Sequence, residues 1–283
     1  MAFWGFSFVW VKVVYYYYQP LTTVFLRVSS AAIILLLIKV IFKIRLKPDK
    51  SDIKYLILLA FIEPFTYFLG ESFGMKYVSS TLASVIISTI PVFSPLAAYL
   101  IAKEKISVLN FIGIIISFAG ILIMVIEPDL SFKESPIGIA LMMLAVMAAI
   151  FYTILINKLA SKYKPLTLLT WQYMIGSLLF MPLFLIFELD NFLMVKPDFR
   201  LISTLILLII FASILAFFFF IQVVEKIGIN KANVFTNFVP IITAITAFYV
   251  LPEEKATVKV IIGILVALMG IFISQLKYKK FKY

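Results

Sequence analysis

Residues 83–92 read ASVIISTIPV, and residues 232–241 read ANVFTNFVPI. At an offset of 149, Ala83 falls on Ala232, Val85 on Val234 and Pro91 on Pro240. Ser84 falls on Asn233 and Ser88 on Asn237, so each segment carries two polar residues four apart, three residues ahead of a proline. On a helix, positions i and i+4 share a face. The match continues outward. Lys103-Glu104-Lys105 corresponds to Glu253-Glu254-Lys255 with one residue inserted, and Gly113 and Gly120 correspond to Gly263 and Gly270. Upstream, Pro20-Leu21-Thr22 corresponds to Pro165-Leu166-Thr167, with Arg27 and Gln172 each seven residues beyond the proline. The chain reads as two copies of one unit.

The unit belongs in a membrane. Of 283 residues, 64% are apolar and 14% charged, and mean hydropathy is +1.12. A soluble domain is about half apolar and about a quarter charged, and a disordered chain is poorer still in apolar residues. A β-barrel would alternate in polarity over segments of about ten residues. Here the apolar runs are uninterrupted and long enough to cross about 30 Å of hydrocarbon as helices. The expected fold is an all-α polytopic membrane protein with ten spans: 2–18, 21–42, 54–73, 78–101, 107–126, 136–157, 165–187, 201–221, 232–251 and 256–275. The first repeat then covers 1–126 and the second 136–275, followed by a basic tail, 276–283. Five spans is an odd number, so the second copy enters from the opposite side and the repeat is inverted.

Net charge is +11. With Met1 inside, the inner segments hold sixteen Lys and Arg and the outer segments six. That asymmetry places both termini in the cytoplasm. It also accounts for the charge without a nucleic-acid partner. The first span has no basic leader and no small-residue cleavage site, so it reads as a span rather than a removable signal. The run Tyr15–Tyr18 reads as an aromatic belt at the interface.

Several chemistries are excluded. There is no Cys and no His, which removes disulfides, thiolate or imidazole metal sites and His-based catalysis. No acidic cluster suggests a metal, and no G-x-x-x-x-G-K-[ST] loop suggests ATP hydrolysis. The sequence calls for no cofactor and no catalytic residue, so an enzyme is not expected.

In this order across two halves, the motifs resemble the EamA-type transporters of the drug/metabolite transporter superfamily. They are Phe3-Trp4-Gly5 with Lys12, Pro20 with Arg27, and Gly74-Met75-Lys76-Tyr77-Val78-Ser79. Pro91 with Glu104, Pro165, Pro240 with Glu253-Glu254, and the Gly263/Gly270 pair complete the set. The resemblance covers essentially the whole chain. It implies ten helices, two inverted five-helix repeats, a central cavity, a bacterial-type inner membrane and export of small metabolites such as amino acids or drug-like compounds. Members usually carry more residues before the Phe-Trp-Gly element, so the first span is short by comparison. Architecture leaves direction open, and uptake or exchange by the same fold is the alternative.

The candidate substrate residues follow from polarity inside spans. Pro91 and Pro240 cannot donate to the carbonyls of Ile87 and Thr236 and should kink their helices. The freed carbonyls need partners in a membrane. The faces carrying Ser84, Ser88, Asn233 and Asn237 therefore read either as cavity wall or as polar glue between helices. Glu63 falls near mid-membrane, with Tyr67 and Glu71 following at i+4 and i+8. A carboxyl there costs roughly 2.5–3.5 kcal/mol to insert and marks function by default. It reads as a proton carrier, or as the partner of Arg27 or Lys12. Glu71 reads as cavity-lining or as solvated at the outer interface. Arg27, permanently charged, must face the bundle, where it suits a substrate carboxylate or an ion pair. Trp171, Gln172, Tyr173 and Gln222 complete the cavity candidates. The glycine pairs read as close helix packing. Phe217–Phe220 reads as packing or lipid-facing.

Overall fold

The computed structural model describes residues 1–44, 47–93, 108–126, 134–227, 232 and 235–276. Among these, regular structure is entirely helical. Helix α1 is Ala2–Tyr15 and α2 is Pro20–Ile41. The third span starts as α3, Ile53–Ala60, passes through a π segment, Phe61–Thr66, and ends as α4, Tyr67–Tyr77. Then come α5, Ser80–Ile87; α6, Val108–Val125; α7, Pro136–Ala160; and α8, Pro165–Phe187. A short α9, Leu189–Met194, precedes α10, Phe199–Leu207, which runs through a second π segment, Leu208–Leu215, into α11, Ala216–Ile227. The chain closes with α12, Val239–Val250, and α13, Val258–Gln275.

Among the described residues, seven stretches are at least 18 residues long and apolar enough to cross a membrane: Pro20–Ile41, Lys50–Tyr77, Val108–Val125, Pro136–Ala160, Pro165–Phe187, Phe199–Lys226 and Val258–Gln275. Three shorter apolar helices, Ala2–Tyr15, Ser80–Phe93 and Phe235–Val250, accompany them. Each sequence span overlaps one of these stretches, and the end of the fourth, 94–101, lies outside the described residues. The Lys103-Glu104-Lys105 run, Asn233 and residues 277–283 lie outside the described residues.

Local chemistry sets the helix starts. Proline opens α2, α7 and α8, where its missing N–H is no loss. Ser79, Asp198 and Thr257 accept from the backbone N–H groups of Leu82, Leu201 and Val260 and so cap α5, α10 and α13. Two further caps come from distant chain. Glu188, beyond α8, accepts from Leu21 N at 3.1 Å, Thr22 N at 2.6 Å and Thr22 Oγ1 at 2.8 Å at the start of α2. Glu254, beyond α12, accepts from Ser80 N at 2.5 Å, Thr81 N at 3.1 Å and Thr81 Oγ1 at 2.6 Å at the start of α5. A carboxylate suits the positive end of a helix.

The helices pack in pairs drawn from both halves: α6 on α13, α4 on α7, α2 on α8, and α1 and α5 on α12. Glycines allow the closest approach. A Cβ added at Gly263 would lie 2.9 Å from the Gly120 carbonyl oxygen, and one at Gly270 would lie 2.8 Å from that of Gly113. The glycine pairs thus lie in the α6–α13 seam. Gly74 and Gly138 oppose each other between α4 and α7 in the same way.

The prolines break their helices. Residues 88–89 form a turn after which helix resumes at Ile90, with Pro91 in its first turn, and Pro240 sits in the first turn of α12, after a 3-10 turn over Phe235–Phe238. The freed Thr236 carbonyl accepts from Ser88 Oγ at 3.2 Å. One repeat therefore answers the other at its own break.

The tyrosine run is more than a belt. Tyr15 donates to the Ser72 carbonyl at 2.8 Å, Tyr16 to Glu253 at 2.8 Å and Tyr17 to Asp198 at 2.7 Å, while Tyr18 is buried against Phe192. With the Glu188 and Glu254 caps, these bonds tie together the face of the bundle opposite Met1. On the face bearing Met1, Lys162 lies between Asp49 at 2.7 Å and Asp52 at 2.6 Å, and these carboxylates hold its ammonium above the usual lysine range.

Candidate functional site

A cavity of about 80 Å³ lies inside the bundle. It reaches from Arg27 and Glu71 toward the Met1 face, past Trp4, Phe220 and Thr236. Its wall draws on both halves: α1, α2, the third span, α5, α7, α11 and the start of the ninth span.

The first π segment borders it through Glu63, and the second lies behind the wall, bonded to the wall residues Trp4 and Arg27. In the first, Glu63 leaves helical geometry at φ −138°, ψ 117°, and Pro64 follows with no N–H for the helical ladder. In the second, the Ala212 carbonyl accepts from Trp4 Nε1 at 3.2 Å and the Ser213 carbonyl from the Tyr173 hydroxyl at 2.8 Å. A π turn offers carbonyls to outside donors and often marks a functional position. The segments occupy corresponding places in the two halves, since 149 residues beyond Glu63 is Ala212.

Arg27 joins them. Its Nε donates to Ser213 Oγ at 2.7 Å, its Nη1 lies 3.8 Å from Glu71 Oε2, and its guanidinium carbon sits 4.4 Å above the centre of the Phe68 ring. Glu71 also accepts from the Tyr67 hydroxyl at 2.9 Å. Arg27, Glu63 and Glu71 are 3%, 2% and 6% exposed. Glu63 Oε1 has no hydrogen-bond partner among the described residues. The ion pair is therefore Arg27 with Glu71, rather than with Glu63, and Glu71 is buried rather than solvated.

Arg27, Glu63, Tyr67, Glu71 and Ser88 thus line one cavity. The i, i+4 spacing brings Tyr67 and Glu71 to the wall together on α4, whereas Glu63 reaches it from the π segment, out of helical register with them. Ser84 is buried but donates back to the Thr81 carbonyl at 2.7 Å, outside the wall. Gln172 is buried next to Tyr152, a wall residue. Trp171 and Gln222 are half-buried on α8 and α11 and do not line the cavity. Asn237 exchanges long amide contacts of 3.4–3.5 Å with Gln275 and lies off the wall. Lys12 lies elsewhere, in a second cavity of about 290 Å³ on the opposite face, with Lys76, Glu134, Glu253, Glu254 and Lys255.

The wall also holds residues that sequence reasoning passed over. Trp4, Phe68, Tyr152, Phe217 and Phe220 supply an aromatic lining, so two of the four consecutive phenylalanines face the cavity. Pro64 was the available signal for the first interruption. Nothing in Leu208–Leu215 marks the second.

Interrupted apolar spans around a cavity holding buried charge define a membrane transporter as a class. The comparisons agree. The model of the EamA-like transporter family matches residues 1–126 and 136–276, and the chain belongs to that family. An uncharacterized transporter of Archaeoglobus fulgidus is 31% identical over 207 residues, covering 73% of this chain and 72% of its own. The uncharacterized transporter YoaV of Bacillus subtilis is 24% identical over 280 residues, 99% of this chain and 95% of its own. A crystal structure superposes with TM-score 0.70 at 13% identity, covering 96% of this chain and 93% of the other, which shows a shared fold.

Proposed function

We propose that the protein is a secondary-active carrier that exports a small organic metabolite across the plasma membrane by alternating access. The observation that carries this reading is the Arg27–Glu63–Glu71 cluster, buried in a cavity between two interrupted spans that occupy corresponding places in the halves. Isolated charge in hydrocarbon persists where it serves a pathway.

In this reading the two five-helix units, 1–126 and 136–275, are inverted repeats with ten spans between them. The pairing supports it: α2 with α8, α6 with α13 and α5 with α12 each join corresponding elements, as a two-fold axis in the membrane plane requires. Both termini are cytoplasmic, by the basic-residue asymmetry. The cavity then faces the cytoplasm, and the closed face is external. Rocking of the units would open the outer face by releasing the Glu188 and Glu254 caps. Glu63 is the group through which a proton gradient would couple. Catalysis has no part in this reading.

Counterflow tests the reading. Purified protein in liposomes is preloaded with amino acids, other metabolites or cationic drugs, and labelled uptake is followed with and without a proton gradient. Saturable exchange of one class, lost on Arg27→Ala in folded protein, is the expected result. Flux that is linear in concentration, with no exchange, would instead indicate a channel.

A further inference from the structure

We infer that the central cavity binds a compact organic ammonium ion, held by the Glu63 carboxylate inside the aromatic wall and exchanged there for a proton. The inference builds on the carrier reading by naming its substrate class.

The charge balance of the wall carries it. Among the described residues, two carboxylates and one guanidinium line the cavity. The guanidinium already has its counter-charge in Glu71 at 3.8 Å, donates through Nε to Ser213 and lies over the Phe68 ring. Its charge is therefore balanced without a substrate carboxylate. Glu71 is committed in turn to Arg27 and the Tyr67 hydroxyl. Glu63 is left over, 2% exposed, with Oε1 unpartnered in a wall of low polarity. An ionised carboxylate without a counter-charge is costly there, so its charge persists only beside a cation.

The rest of the wall selects the kind of cation. Trp4, Tyr67, Tyr152, Phe217 and Phe220 face the same space. Trp4 sits against Phe217 at 4.9 Å and Phe220 at 5.2 Å between ring centres, forming a joined aromatic corner. Aromatic faces attract ammonium groups, most strongly away from water. A bare metal cation would need several oxygen ligands, whereas the wall offers one free carboxylate. An alkyl- or arylammonium ion matches both the single charge and the apolar rings. When it arrives, the Glu63 carboxyl releases its proton to water and the carboxylate pairs with the ligand. The charged and titratable groups facing Glu63 are Arg27 from α2, Tyr67 and Glu71 from α4, Tyr152 from α7 and Tyr173 from α8. Of these, Arg27 and Glu71 already compensate each other.

Calorimetry on the detergent-purified full chain tests this with three probes: benzyltrimethylammonium, 3-phenylpropionate and benzyl alcohol. Titration in two buffers of different ionisation enthalpy counts protons. The expected result is binding of the cation alone, release of about one proton per ligand, and affinity falling by up to about tenfold per pH unit on acidification. Glu63→Gln should weaken cation binding at least tenfold and abolish proton release, and Glu63→Asp should retain both. No cation binding, binding without proton release, or preference for the anion overturns the inference, and all three need only the unmodified protein. Counterflow of anions or neutral solutes without cation binding would leave the carrier standing and remove the ammonium ligand. Glu63-dependent cation binding without counterflow would do the reverse.

Discussion

Arg27 and Glu71 form a buried pair whose separation, 3.8 Å, is that of an ion pair rather than a tight hydrogen bond. Removing one member leaves the other charged and unpaired. Arg27→Met or Glu71→Leu alone should destabilise the protein by about 3–5 kcal/mol, and the double variant by less than either. Thermal unfolding of the three variants in detergent measures this, and a double variant that loses the sum of both effects would refute it. Asp198 offers a contrasting case at the surface. The Tyr17 hydroxyl and the Leu201 N–H hold its carboxylate below the usual aspartate range. A lowered value means the folded state favours the ionised form. Its contribution is therefore present at neutral pH and lost as pH falls below about 4. The difference in melting temperature between wild type and Asp198→Asn should be present at pH 7 and shrink progressively as pH is lowered below about 4.

At the scale of elements, two carboxylates from far along the chain close two helix starts. Glu188 reaches α2 and Glu254 reaches α5, and each takes three donors. Glu188→Ala and Glu254→Ala should each cost about 1–2 kcal/mol. The effects should add, because the caps serve different helices. Chemical or thermal unfolding of the single and double variants checks both statements. If the caps also hold the opposite face shut, the same variants should expose it to water-soluble reagents. The glycine seams act differently. They set how closely α6 meets α13 and α4 meets α7, and so fix the frame in which the cavity wall is held.

Across the whole molecule, the wall residues cluster toward the Met1 face while hydrogen bonds close the other. The chain has no native cysteine, so single-cysteine variants report cleanly. Ser7→Cys should react with a membrane-impermeant thiol reagent from the Met1 face, and Thr22→Cys should be protected from either side. Labelling of right-side-out and inside-out vesicles decides this, and the vesicle type in which Ser7→Cys reacts identifies the membrane side of Met1. Preferential reaction of Thr22→Cys would mean that the other face is the open one.

Composition and period alone determined the solvent, the helical class and the two related halves, because a stretch of about 20 apolar residues in a bilayer must satisfy its backbone internally. They also picked out Arg27, Glu63, Tyr67, Glu71 and Ser88, since polarity inside a span is conspicuous wherever the side chain points. Direction is what they lacked. Ser84 and Ser88 are equivalent on a helical wheel, yet the break before Pro91 turns one to the cavity and leaves the other on its own helix. The π segment at Leu208–Leu215 has no local cause in its residues; Trp4, Arg27 and Tyr173, all distant in sequence, bond to it. Likewise, the partner of Arg27 and the aromatic lining depend on which helices meet. Local sequence sets the hydrogen bonds within a helix, but only packing decides which carboxylate a buried arginine meets and which one it leaves alone.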